Sequence, residues 1–396
     1  MTARQLCKSA IEEKILIYLD NNSTTKPLSS VANAMTKTMK SNSWNPSSAH
    51  SLGAEARSLI EAARDNIGAL LPGIFPEGVI FTSGGTEGNN LAIAHHIHDA
   101  NEWTLITSKV EHPSVLRPAE KLAQHGGRVI LIDVSASGAI DPDEVARAAQ
   151  SSTGPIKVSI QWANSETGVI QPVADIAKAV KAVRPDALIH SDIAQAIGRV
   201  PINLLEAQVD AATFSGHKFH GPQGSGALVF ADPDDRRFTP LILGGGQERG
   251  LRSGTQNVPA IVGLGIAARE RAEGLEVAIE RMASIRDCFE ATIINLLPGA
   301  AVNGGAARRV PNTSNIRFPG VEGMALLAKL DELGIACSLG SACSSGKPAP
   351  SHVLAAMGLP EDDAYASVRF SFSIFNSRKE ALLAARTVAE CLRDLK

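Results

Sequence analysis

The chain is expected to fold as an α/β protein whose larger part is a mostly parallel sheet covered by helices on both faces. Two observations carry that expectation. From Val79 to Phe230 short apolar runs alternate with segments of helical period, the pattern of parallel strands joined by crossover helices. The composition agrees: 44% of the residues are hydrophobic but only 4% are aromatic, with 34 glycines in 396 residues. That balance suits small-residue packing and tight turns better than a β-sandwich, and the length suits more than one domain.

Along the chain, Ile15 to Asp20 reads as a strand closed by the turn and cap residues Asn21 to Pro27. A helix follows from about Ser29 to Lys40. The polar loop from Ser43 to His50 carries Trp44 and His50, and it reads either as facing a site or as an ordinary connection. Val79-Ile80-Phe81-Thr82 is a strand ending in Ser83-Gly84-Gly85-Thr86, with a helix continuing through Leu91 and Ile93. Further strands fall at Thr104–Thr107, Arg128–Ile132, Val158–Ile160, Leu188–His190 and Ala227–Phe230. Helices lie between most of them, at Val115–His125, Pro142–Gln150 and Val173–Val183. In such sheets ligands gather at the carboxyl ends of the strands. After Gly263 the texture changes to one long charged helix from about Ala267 to Leu297 and then a smaller mixed region. The expected units are a large domain of 16–265 and a smaller α+β domain of 266–396, with residues 1–30 packing on the smaller one.

With 38 basic against 41 acidic residues the net charge is -3, so neither nucleic acid nor an anionic membrane is implied as a partner. No apolar run approaches the length a bilayer needs, and the opening residues do not read as a signal peptide. Five scattered cysteines, Cys7, Cys288, Cys337, Cys343 and Cys391, argue against a disulfide framework. The expected setting is the cytoplasm. The cluster His95-His96-Ile97-His98 lacks partners at ligand spacing, so no metal site is expected.

Chemistry is densest in Ser215-Gly216-His217-Lys218-Phe219-His220-Gly221-Pro222. Lys218 sits just past a strand end among two histidines and a serine, where a desolvated amine loses its proton easily and attacks carbonyls. A snorkelling surface lysine is the plainer alternative. Ser83 to Thr86, between a strand and a helix, is a phosphate cradle or simple helix capping; it is neither a dinucleotide fingerprint nor a Walker loop. Asp192 at the end of a strand can hold a pyridine nitrogen protonated or cap the next helix. His112, before Pro113, can stack on a ring or start a helix. Cys343 lies in the small-residue loop Gly340 to Gly346 beside Lys347, the setting of an activatable thiol. Cys337, after Leu333-Gly334-Ile335-Ala336, reads as a buried strand thiol.

These residues in this order resemble the NifS/IscS-type cysteine desulfurases of the class V aminotransferase family. The resemblance runs from Tyr18-Leu19-Asp20 to Arg369-Phe370-Ser371. It includes Asn45-Pro46-Ser47-Ser48, Thr82 to Glu87, Glu111-His112, Ser215 to Lys218, Gly244 to Thr255 and Gly340 to Cys343. It implies the fold type I of pyridoxal phosphate-dependent transferases, with a seven-stranded-type sheet. Lys218 would carry the cofactor, and Gly85, Thr86, Ser215 and His217 would hold its phosphate. His112 would stack on the ring, Asp192 would pair with the pyridine nitrogen and Gln195 would meet the ring hydroxyl. Thr255 would reach the cofactor of a neighbouring subunit in a homodimer. Arg369, with Asn45, would bind the substrate, and Cys343 would take the sulfur. The chain departs from the family at Ser165, where an asparagine is usual, and at Ser371-Phe372-Ser373, where Ser-Leu-Gly is usual.

The implied activity converts L-cysteine to L-alanine and leaves a persulfide on Cys343 for an acceptor protein of unknown identity: a cluster scaffold, a thiouridine enzyme or a DNA-modifying partner. Alternatives are a selenocysteine lyase and a non-catalytic regulatory subunit. Lys218, Cys343 and His112 are the expected catalytic residues.

Overall fold

The computed structural model describes residues 16–42, 44–93, 103–235, 237–339 and 350–395. A seven-stranded sheet dominates it. Its strands are β2 (Val79–Thr82), β3 (Thr104–Ser108), β4 (Arg128–Ile132), β5 (Ile156–Ser159), β6 (Leu188–Asp192), β7 (Ala211–Ser215) and β8 (Gly226–Phe230), in the order β2-β8-β7-β6-β5-β3-β4. β8 runs antiparallel to both of its neighbours, and every other pairing is parallel. All residues of β3, β6, β7 and β8 are buried, as strands covered on both faces must be.

The helices α1 (Ser29–Ser41), α2 (Ser51–Leu70), α3 (Gly85–Ile93), α4 (Pro113–Gln124), α5 (Pro142–Gln150) and α6 (Val173–Val183) belong to this layer arrangement. In α2, Ala56, Ile60, Ala63, Ile67 and Leu70 are buried at alternating spacings of four and three, one apolar stripe of a helix. That stripe packs on α7 (Val258–Glu273). The approach is close enough that a Cβ on Gly265 would stand 2.7 Å from the Cα of Ala63, so only glycine fits there. The single long helix expected from Ala267 to Leu297 is instead two. Gly274 ends α7, its N–H donating to the Glu270 carbonyl, and α8 (Leu275–Leu296) starts immediately after it. A residue of such high conformational entropy is a natural break.

A second core gathers around an antiparallel sheet of β9 (Ala301–Val302), β10 (Thr313–Arg317) and β12 (Ser367–Ser371), in the order β12-β10-β9. The two-residue strand β1 (Ile17–Tyr18) pairs in parallel with β11 (Ile335–Ala336). Ile17, Leu19, Phe289, Phe370 and Phe372 share this core with residues of α9 (Gly323–Glu332) and of the C-terminal helix α12 (Arg378–Asp394). The short helices α10 (His352–Ala356) and α11 (Glu361–Tyr365) lie between β11 and β12. Cys337 stands one residue beyond β11 and is half-buried, where a buried strand thiol was expected; the two-residue strand ends before reaching it. No helix among the described residues is long and apolar enough to cross a membrane.

Candidate active site

The carboxyl ends of β2, β6 and β7 and the start of α4 open on one cavity of about 450 Å³. Its wall contains Gly85, Thr86, His112, Asp192, Gln195, Ser215, His217 and Lys218 together, with Ser23, Thr24, Ser165 and Gln161. The sheet brings these residues, spread over more than a hundred positions, to one rim.

One end of the cavity is suited to an anion. Gly84 and Gly85 lead from β2 into α3, and Gly84 has a positive φ of 155°. A Cβ on Gly85 would meet nothing nearer than the Cβ of Ser215 at 3.8 Å, so packing does not demand glycine; its absence of side chain leaves the helix start open to the cavity. Thr86 and the hydroxyl of Ser215 flank that opening. Ser83 N–H is already engaged, donating to Glu87 Oε2 at 2.8 Å. Glu87 also accepts from Arg252 Nε at 2.9 Å.

At the other end Lys218 occupies a 3-10 turn directly after β7. Its Nζ donates to the carbonyl oxygens of Asn22 at 2.6 Å and Ser23 at 2.9 Å. Burial, with the nearby charges of Arg199 and Arg369, brings its pKa down to about 8. The same burial and the neighbouring Lys218 push His217 down to about 4, and its Nδ1 faces Thr24 Oγ1 at 3.1 Å. Asp192 is buried. Its Oδ2 accepts from Asn89 Nδ2 at 2.7 Å and its Oδ1 accepts from the Ala194 N–H at 2.9 Å. His112 caps α4, its Nδ1 accepting from the Ser114 N–H at 3.1 Å, while its ring is open to the cavity. The ring is pushed to lower pKa chiefly by enclosure. For His112, then, capping and facing the cavity are one arrangement, whereas the segment after Asp192 is turn and its carboxylate caps no helix. Gln195 is held at both ends, donating to the Asn22 carbonyl at 3.0 Å and accepting from Arg199.

Arg369 lies behind the wall, donating to Asp20, Ser23 and the carbonyl of Ser165. The last contact uses backbone, so it does not depend on the side chain at 165. Phe372 turns into the second core against Phe289, ring centres 5.4 Å apart, and Ser373 N–H donates to Asn376 Oδ1 at 2.8 Å; the departure from the family pattern here points into packing. Asn45 and Thr255 are exposed and outside the cavity wall. Asn45 Oδ1 accepts from Ser47 N–H at 2.9 Å, and His50 caps α2. Cys343 and the histidine cluster 95–98 lie outside the described residues. Sequence reasoning missed Asn22, Ser23, Gln161, Asn89 and Arg199. The run Asn21 to Thr25 looks like turn chemistry, and only its density of polar groups after a strand hinted at more.

A buried amine of lowered pKa, a buried carboxylate and an anion-receptive helix start can hold a phosphorylated aromatic aldehyde and do carbonyl chemistry on it. The model of the Aminotransferase class-V family matches residues 17–382. A cysteine desulfurase of Nostoc sp. is 40% identical over 382 residues, 96% of this chain and 94% of that protein. The solved structure of a NifS-like protein is 35% identical with a TM-score of 0.87, covering 96% of this chain and 100% of its own. That of SspA in complex with cysteine is 32% identical, TM-score 0.79, covering 91% and 100%. With the site built on the strand ends that this fold uses and the family matched over nearly its whole length, the chain belongs to the class-V aminotransferases.

Proposed function

We propose that this chain is a pyridoxal phosphate-dependent cysteine desulfurase that acts on L-cysteine, giving L-alanine and a persulfide on Cys343. The observation that carries the reading is the meeting of Lys218, Asp192 and His112 with the open start of α3 in one cavity.

The residues present fit the cofactor. Gly85, Thr86, Ser215 and His217 would hold its phosphate, His112 would lie on its ring, Gln195 would meet its hydroxyl and Asp192 would keep a proton on its nitrogen. When bound, pyridoxal phosphate supplies an electron sink for the pair released at the substrate Cα. Lys218 Nζ, with its proton weakly held, takes the proton from that Cα. Arg369 binds the substrate carboxylate through its guanidinium. The thiolate of Cys343 attacks the substrate sulfur: an S–S bond forms as the Cβ–S bond breaks, and a returned proton completes alanine.

A homodimer completed by Thr255, an acceptor protein for the persulfide and a cytoplasmic setting complete the reading. So does the division of the chain near Gly265, supported by the two separate cores. The test is chemical. The purified protein should be yellow, and borohydride should fix a pyridoxyl label on Lys218. Added L-cysteine should yield alanine in step with the sulfur released. A label on another lysine overturns the assignment.

A further inference from the structure

Arg369 is almost wholly buried, yet its charge is committed within the chain. Nη2 donates to Asp20 Oδ1 at 2.7 Å and to Ser23 Oγ at 2.8 Å. Nη1 donates to the Ser165 carbonyl at 3.0 Å, and Nε has no partner among the described residues. Ser23 Oγ also donates to Asp20 Oδ1 at 2.8 Å, so one hydroxyl on the cavity wall braces both members of the pair. The two members are not equally fixed: the side chain of Arg369 is 4% exposed and that of Asp20 is 21% exposed. Asp20 is the more accessible member of the pair, and Arg369 keeps only a small exposed share.

We propose that Asp20 is a specificity-determining residue: its carboxylate occupies Arg369 until the carboxylate of the amino acid substrate takes its place. The inference rests on the reading of Arg369 as the carboxylate clamp. Its physical basis is charge balance. A guanidinium buried without a counter-charge is strongly unfavourable, so Asp20 stabilises the free enzyme. A carboxylate arriving at Arg369 gains that attraction, but it loses part of it in repulsion from Asp20 or in displacing it. Ligands without a carboxylate leave the pair undisturbed. Asp20 thus weakens the hold on carboxylates selectively, which keeps the bound substrate from resting in too deep a ground state.

Two simple thiols separate the effects on the holoenzyme as competitive inhibitors of cysteine turnover. The first, 3-mercaptopropionate, has the carboxylate and no amine; the second, cysteamine, has the amine and no carboxylate. Asp20→Asn should lower the inhibition constant of 3-mercaptopropionate by about threefold or more and leave that of cysteamine unchanged. The melting temperature of the free Asp20→Asn protein should fall, and the rise on adding 3-mercaptopropionate should exceed that of the wild type. Ser23→Ala, which removes the brace without removing the charge, should move the constant in the same direction by less, and it decides the matter if Asp20→Asn does not fold. Weaker or unchanged binding of 3-mercaptopropionate by the folded variants overturns the proposal, because Asp20 would then merely position Arg369. Arg369→Gln should weaken 3-mercaptopropionate and spare cysteamine. If it does not, the clamp reading itself fails, and the role of Asp20 falls with it.

Discussion

Lys218 is held by Asn22, its Nζ donating to that residue's carbonyl oxygen at 2.6 Å across 196 positions of sequence. Backbone carbonyls are its hydrogen-bond acceptors, so no carboxylate hydrogen-bonded to it restores the basicity that burial removes. With the pKa brought down to about 8, the amine is still mostly protonated at neutral pH but carries a far larger neutral fraction than an ordinary lysine. The rate at which cofactor-free protein regains colour on adding pyridoxal phosphate should therefore rise with pH and level off above about 8. The sign for stability follows from the same shift. Between about 8 and the ordinary 10.5 the unfolded chain binds more protons, so this group makes the cofactor-free protein more stable as pH rises through that window. Denaturant midpoints of wild type and Lys218→Met across it would show the difference.

Glu111 supplies the opposite slope. It is fully buried, accepts from Ser108 Oγ at 2.6 Å and from the Gln161 N–H, and burial pushes its pKa up to about 8. From the ordinary 4.5 to about 8 the folded chain binds more protons, so stability falls as pH rises. Glu111→Gln keeps an oxygen acceptor without a charge. It should flatten the loss of urea midpoint between pH 5 and 8, while an unchanged slope would show that another group titrates there.

The persulfide should form on Cys343 and leave Cys337 untouched, since burial and the nearby Asp20 push the Cys337 thiol up to about 12 and only thiolates attack sulfur. Mass spectrometry after incubation with L-cysteine locates the added sulfur. Cys343→Ser should keep the yellow colour yet release no alanine. Cys337→Ser should retain turnover with at most some lost stability.

Arg64 and Glu248 form a buried pair, Nη2 to the two carboxylate oxygens at 3.0 and 2.9 Å. Glu248 also accepts from the Phe81 N–H at 2.8 Å. The pair fastens the glycine-rich segment before Thr255 to β2, through backbone with positive φ at Glu248 and Arg249. Removing one member leaves a buried charge alone, so Glu248→Ala should lower unfolding free energy by about 3–5 kcal/mol. The double variant with Arg64→Ala should cost much less than the sum, as a double-mutant cycle in urea would measure.

Thr255 is exposed and outside its own chain's cavity, which suits a residue that works in a neighbour's. Lys218→Ala and Thr255→Ala, each inactive alone, should regain part of the activity when mixed and allowed to exchange subunits. No recovery, with exchange demonstrated, would confine Thr255 to its own subunit.

The alternation of strands and helices was legible because short, largely apolar runs alternate with segments of helical period; β2, β4, α5 and α6 begin and end where the pattern says. The break at Gly274 was not, since charged and apolar residues keep helical spacing on both sides of it. Asp192 and Lys218 could be read because their types are rare at strand ends. Asn22 and Ser23 could not be read as partners of Lys218, because they hold it through backbone carbonyls, which every residue has. Asp20 belongs to the same class: its chemistry comes from meeting Arg369, 349 positions away.

The pairing of β1 with β11 and the bond from Asn21 Nδ2 to the Ser371 carbonyl, 350 positions apart, bear on how the molecule is made. On a ribosome the first strand waits, unpartnered, until nearly the whole chain has emerged. The carbonyls that hold Lys218 follow directly after that strand, so the amine's setting matures late and at high contact order. Nascent chains halted before β12 can assemble the parallel sheet while lacking a finished site. Loading of the cofactor is then a natural checkpoint that distinguishes complete molecules from truncated ones.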